Sequence, residues 1–211
     1  MKKAHVVLGV MNGLLLVLLA VALGLAFIHI TGIPYRLEPF ADKMALRNYQ
    51  AVMRFLSPFV NEPFALPDLA YSADGSQHFA DCKPLFNGVY QLGLIGLSGV
   101  LALFLALRKR NKRKYWLASG ITSFAAPAIL LIYMAADFNR VFLWFHRVFF
   151  NNSLWIFDPE KDPIIRILPA QFFMHCGIFI ASCVVLLAAV QFVLCVRCKP
   201  SSKKISCKSI T

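Results

Sequence analysis

The chain has 211 residues, of which 59% are hydrophobic and only 15% charged, with a mean hydropathy of +0.65. A soluble domain carries about 25% charged residues, so the composition excludes one and specifies an integral membrane protein. The formal net charge of +12 invites a nucleic-acid reading, but the placement of the charges argues against nucleic acid as a partner.

Four uncharged apolar runs, at 4–30, 88–107, 115–136 and 172–196, are long enough to span. About 20 residues rising 1.5 Å each cover a ~30 Å hydrocarbon core. The first run follows Lys2 and Lys3, is too long for a signal-peptide core and precedes no small-residue cleavage site, so it reads as an uncleaved span. Six basic residues of the 108–114 loop, Lys2, Lys3 and five cations of the tail 197–211 fall on one side, with no acid among them. All ten acids lie in 31–87 and 137–171. The asymmetry places both termini in the cytoplasm and the two long segments outside. The cationic side is attracted to membrane phospholipids. The expected fold is therefore all-α, a single membrane domain 1–211 of four transmembrane helices with two extracytoplasmic segments containing amphipathic helices.

Taken in order, the first span carries Asn12, suited to bonding a neighbouring helix, and His29 near its outer end. From Phe40 to Phe59, apolar residues recur at three- to five-residue steps among Asp42, Lys43, Arg47 and Arg54, the pattern of an amphipathic helix closed by Pro58. Ser76 or Asp74 can N-cap a short helix in which His78 and Asp81 share a face, and Pro84 stands where a new helix leads into the second span. Gly88, Gly93, Gly96 and Gly99 suit close helix approach. Pro127 is placed to kink the third span, which ends at Ala136 with helical pattern continuing to Phe142. Residues 142–159 then crowd aromatics around His146, Arg147 and Asp158. Asp162 can cap a helix begun by Pro163, and His175 lies one turn inside the fourth span. The six cysteines form no disulfide or zinc pattern.

Because only seven residues join the second and third spans, those spans are expected to be antiparallel neighbours whose outer ends bring His78 to His146. A histidine pair suits proton transfer, metal binding completed by Asp81 or Asp158, or bis-histidine haem ligation, for which the spans offer His29 and His175.

Two blocks carry a family resemblance. One is His78-x-x-Asp81-Cys82-Lys83, with Cys82 where valine is usual. The other runs from Phe145-His146-x-x-Phe149-Phe150 through Asn152, Trp155, Asp158-Pro159, Asp162, Ile165 and Pro169 to Phe172-Phe173. In these blocks and in its four-span layout the chain resembles the bacterial lipoprotein intramolecular transacylases. The resemblance implies an acyltransferase that moves the sn-2 acyl chain of an S-diacylglyceryl cysteine to the α-amino group of the same N-terminal cysteine, giving the lyso form. It implies no cofactor and no metal, and a lipidated lipoprotein N-terminus as partner. His78 and His146 become the catalytic pair, with Asp81 orienting His78. Lys83, Arg140, Arg147, Trp155 and Asp158 are candidate substrate contacts. An α-amino group (pKa about 7.7–8.0) can pass its proton to a histidine (about 6.5) at a cost of only ~2 kcal/mol. The competing expectations are a metal-dependent hydrolase using His78, His146 and Asp158, and a non-enzymatic haem protein using His29 and His175.

Overall fold

The structure, a computed structural model, describes residues 2–107 and 113–198. The charged loop between the second and third spans and most of the basic tail lie outside the described residues, as does Cys207. Among the described residues there are seven helices and no strand: α1 (Lys2–Thr31), α2 (Ile33–Arg36), α3 (Lys43–Leu56), α4 (Ala73–Leu107), α5 (Arg113–Phe149), α6 (Ile164–Ile167) and α7 (Ala170–Arg197).

Four of them, α1, α4, α5 and α7, are long and apolar enough to cross a membrane. At 1.5 Å per residue, the 35 residues of α4 and 37 of α5 are about 50–55 Å long, well beyond a ~30 Å core. The uncharged run 88–107 fills that thickness in α4, so the turns carrying Asp74, His78, Asp81 and Lys83 project from it. α5 likewise projects beyond residue 136, and a backbone break marks the place: Asp137 leaves helical geometry (φ −161°, ψ 87°). Its carboxylate accepts the Arg140 amide at 3.0 Å and so caps the projecting half. The break falls ten residues beyond Pro127, where a kink was expected, and Pro84 lies inside α4 rather than opening a new helix.

The bundle is organised around α1, which packs against α4, α5 and α7, while α5 also pairs with α7. This corrects the expected adjacency of the second and third spans: α1 lies between α4 and α5, which are not packed together along their length. Glycines explain the close fit of α1. A Cβ at Gly93 would meet the Ala22 Cβ at 2.3 Å, and one at Gly96 the Leu15 carbonyl oxygen at 2.7 Å, whereas Gly88 has open space around it.

Within the apolar interior a polar knot joins three helices. Asn12 donates to Ser119 Oγ at 2.7 Å, Ser119 donates to the Gln191 side-chain oxygen, and the Gln191 amide donates to Ser123 Oγ at 2.9 Å. Asn12, Ser119, Ser123 and Gln191 are all buried. Interhelical bonds in lipid contribute roughly 0.6–2 kcal/mol each. Gln191→Leu should therefore lower stability by about 1–2 kcal/mol, read as an earlier thermal unfolding transition in detergent.

The remaining helices cap the end of the bundle where α1 finishes and α4 begins. α3 is amphipathic: Ala45, Asn48, Tyr49, Val52, Met53 and Leu56 are buried, and Asp42 caps it by accepting the Ala45 amide at 2.7 Å. It stops at Leu56, so Phe59, expected on its apolar face, is instead 94% exposed in the following loop. Tyr35 of α2 stacks on Tyr49 at 4.1 Å, and Phe172 of α7 meets both rings edge-on. The start of α4 is capped by Ser72, not Ser76 or Asp74: Ser72 Oγ accepts the Gly75 amide at 2.9 Å. Asp162, expected to cap α6, faces the other way. Its buried carboxylate accepts the Ser72 amide and hydroxyl at 2.8 and 2.7 Å, clamping the 158–168 segment onto the first turn of α4.

Candidate active site

His78 stands one turn past that clamp on the projecting part of α4, and His146 on the projecting half of α5. Their ring centroids are 5.9 Å apart, and both residues are buried. Although α4 and α5 separate along the bundle, their ends converge here, so the histidines meet as expected through a different packing.

Aromatic residues enclose the pair. Phe150 lies 4.9 Å from the His78 ring and 5.6 Å from that of His146. Phe157 meets His78 edge-on at 5.5 Å, while Phe142 and Trp155 lie 4.2 and 4.9 Å from His146. Burial among these rings, together with the neighbouring His146, holds His78 well below the usual histidine range. Burial lowers His146 as well, partly offset by its bond to a backbone carbonyl. Both rings therefore rest neutral near pH 7.

The two imidazoles differ in their bonding. His146 Nδ1 lies 2.8 Å from the Phe142 carbonyl oxygen. A carbonyl can only accept, so Nδ1 carries the hydrogen and the neutral ring presents Nε2 as an acceptor. His78 has Nε2 at 3.6 Å from the Cys82 thiol sulfur, one helical turn along, while its Nδ1 is buried with no hydrogen-bond partner among the described residues. A buried polar atom without a partner is costly, and a catalytic role is one of the reasons a fold keeps one.

Asp81 is not hydrogen-bonded to His78. Its carboxylate accepts from Gln77 at 2.8 Å and Asn152 at 2.9 Å, and it acts on His78 only through its charge, which favours the protonated ring. Asn152 also accepts the Leu154 amide through its side chain and the Trp155 indole N–H, at 2.9 Å, through its carbonyl. Asp81 thus fastens the turn after α5 to α4, and through Asn152 sets the position of Trp155 over His146.

The other candidates are less central. Lys83 donates to the Val60 carbonyl at 2.6 Å and sits 4.7 Å from the centre of the Phe55 ring, strapping the loop after α3 to α4. Arg140 pairs with Asp137 at 3.8 Å and is largely exposed, as is Arg147. Asp158 accepts the Glu160 amide at 3.0 Å and lies 4.0 Å from Lys161 within its own turn. Among the described residues no three His, Cys, Asp or Glu side chains group as metal ligands, so the shell proposed from His78, His146 and Asp158 is not assembled. His29 is bonded to Tyr90 at 3.1 Å and His175 to Glu38 at 2.5 Å, so each imidazole has a side-chain partner of its own.

Sequence reasoning missed the enclosing role of Phe150 and Phe157 and the thiol contact of Cys82. The i,i+4 spacing of His78 and Cys82 was the available signal for the latter.

Residues 6–173 match the family model described as "Lit: Lipoprotein intramolecular transacylase Lit". The fold is similar to the solved structure of the membrane-integral lipoprotein intramolecular transacylase Lit from Bacillus cereus, at 26% identity and a TM-score of 0.82, over 92% of this chain and 94% of that one. A second structure of that protein, with a histidine-to-alanine mutation, gives 25% identity and a TM-score of 0.78 over 94% and 93%. No curated protein matched.

Proposed function

The chain belongs to the lipoprotein intramolecular transacylase family, and from that premise we propose that it moves the sn-2 acyl chain of an S-diacylglyceryl cysteine onto the α-amino group of that same cysteine. The buried pair of His78 and His146 carries the proposal. The site takes no cofactor, lies on the extracytoplasmic face, and acts on the lipidated N-terminus of a lipoprotein, with both termini of the enzyme in the cytoplasm. The acid-rich capped end and the basic opposite end support that orientation.

The asymmetry of the two rings assigns their roles. His146 Nε2 is the base and His78 Nδ1–H is the donor. The Cys82 thiol favours this tautomer of His78 by donating to Nε2. Near neutral pH the substrate ammonium loses its proton to water at a cost of about 1 kcal/mol, given a pKa of about 7.7–8.0. The free amine attacks the ester carbonyl and a C–N bond forms. His78 Nδ1–H, which has no partner among the described residues, bonds the developing oxyanion. His146 Nε2 takes the proton shed by the attacking nitrogen and returns it to the glycerol oxygen as the C–O bond breaks. The products are an amide and a free sn-2 hydroxyl. Amine and ester belong to one molecule, so the aromatic enclosure accelerates the reaction by holding the head in a reactive fold and limiting water.

Mass spectrometry of lipoprotein N-terminal peptides from a host expressing the wild-type chain should show N-acyl, S-monoacylglyceryl cysteine. Finding only the diacylglyceryl form with a free amine, while the protein is present in the membrane, would sink the assignment.

A further inference from the structure

A polar cavity lies at the capped end of the bundle, separate from the histidine pair. It has a volume of about 290 Å³ and is bounded by the last turn of α1, by α2, by α3 and by the loop after α3. Its polar lining includes Arg36, Gln50, Arg54 and Ser57, with Tyr49 and His29 deeper. Tyr49 is 2% exposed, and its hydroxyl is buried with no partner among the described residues. Arg36 uses Nε to hold the Thr31 carbonyl at 3.1 Å, which fixes the side chain while its terminal nitrogens remain as donors. Arg54 pairs through one terminal nitrogen with Glu62 at 2.6 Å, and both are exposed.

Depth and surroundings identify the occupant. The cavity opens where α1 leaves its apolar run. Ile30, which lines it, and Leu37 and Phe59, each next in the chain to a lining residue, are 82%, 79% and 94% exposed. Two guanidinium forks at the bilayer surface, beside apolar side chains that have no cover within the fold, match an amphiphile with a phosphate head and acyl chains. The volume sits at the small end of the range for ligand pockets, about 300–1,000 Å³, and suits a headgroup rather than a whole lipid. The S-diacylglyceryl cysteine of the proposed reaction carries no phosphate, so the occupant is a different molecule from the substrate. We infer that this cavity is a binding site for the phosphodiester headgroup of an anionic phospholipid, gripped by Arg36 and Arg54. Glu62 competes for Arg54 and tempers the affinity. The inference stands independently of the acyl-transfer reading.

Native mass spectrometry of the full chain in detergent, titrated with phosphatidylglycerol, tests the site. Phosphatidylglycerol should bind at least tenfold more tightly than diacylglycerol or inorganic phosphate. The Arg36→Gln/Arg54→Gln double variant should lose at least tenfold, and Glu62→Gln should gain severalfold. Glu62→Gln keeps the test open if the double variant fails to fold. Equal retention of phosphatidylglycerol by the double variant, no gain in Glu62→Gln, or diacylglycerol binding as tightly would overturn the site. Inorganic phosphate binding as tightly as the lipid would replace it with a free-anion site.

Discussion

His146→Asn should abolish formation of the lyso form, whereas His78→Asn should retain measurable activity. An asparagine at 146 can place its amide nitrogen where Nδ1 now donates to the Phe142 carbonyl, 2.8 Å away, so the turn is preserved while the basic nitrogen is lost. Loss of a general base costs roughly 10²–10⁴-fold. An asparagine at 78 can instead present an N–H near the present Nδ1, keeping part of the oxyanion contact, whose complete removal costs roughly 10²–10³-fold. His78→Ala should therefore fall about tenfold below His78→Asn, while His146→Ala and His146→Asn are equally inactive. The lipoform ratio in expressing cells, set against membrane levels of each variant, gives the measurement. Activity in His146→Asn with none in His78→Asn would reverse the roles; full activity in both alanine variants would remove the pair from the reaction.

How much of this was legible in the sequence follows from the range of the interactions concerned. The spans were readable because bilayer thickness imposes a length on uncharged runs. The amphipathic face of α3 was readable because its period is local: Tyr49, Val52, Met53 and Leu56 fall on one side of any α-helix. The meeting of His78 and His146 was inferred from loop length, but the packing behind it was misjudged. The small residues that let α1 lie between α4 and α5 were visible as glycines, yet sequence does not say which helix approaches a glycine; for Gly93 it is Ala22 of α1.

The supporting residues were harder because their partners are distant in the chain. His78 and Asp81 lie three apart, and a carboxylate beside an imidazole suggests a direct bond. The carboxylate is taken by Gln77 and by Asn152, 71 positions away, and nothing local reveals that contact. Lys83 was a candidate substrate contact; its bond to the Val60 carbonyl depends on how the loop after α3 folds back. The family blocks include Asn152, Trp155 and Asp162, but do not tell what each one touches.

Gly75→Ala should disrupt the capped end of the molecule although it adds one methyl group in a helix. Alanine is ordinarily favoured over glycine within a helix by about 1 kcal/mol. Here a Cβ would stand 2.2 Å from Asp162 Oδ1 and 2.9 Å from its Cγ, so the carboxylate must move. Moving it breaks the bonds to the Ser72 amide and hydroxyl at the start of α4 and leaves a buried acid without its donors. Leaving a buried polar group without its hydrogen bonds costs about 1–3 kcal/mol, and more for a charged one, enough to loosen the 158–168 segment. The same movement shifts Phe157, which packs on His78 at 5.5 Å, so activity should fall along with stability. The cause can be isolated with a double-mutant cycle. Asp162→Ala alone should be destabilising because it removes the acceptor from Ser72, but in that background Gly75→Ala has no carboxylate to displace and should cost little or stabilise the helix. Thermal unfolding in detergent, with limited proteolysis of the 151–168 segment as a local probe, measures all four corners of the cycle. Strictly additive effects would show that the close approach of Gly75 to Asp162 does not hold the two halves of the catalytic enclosure together.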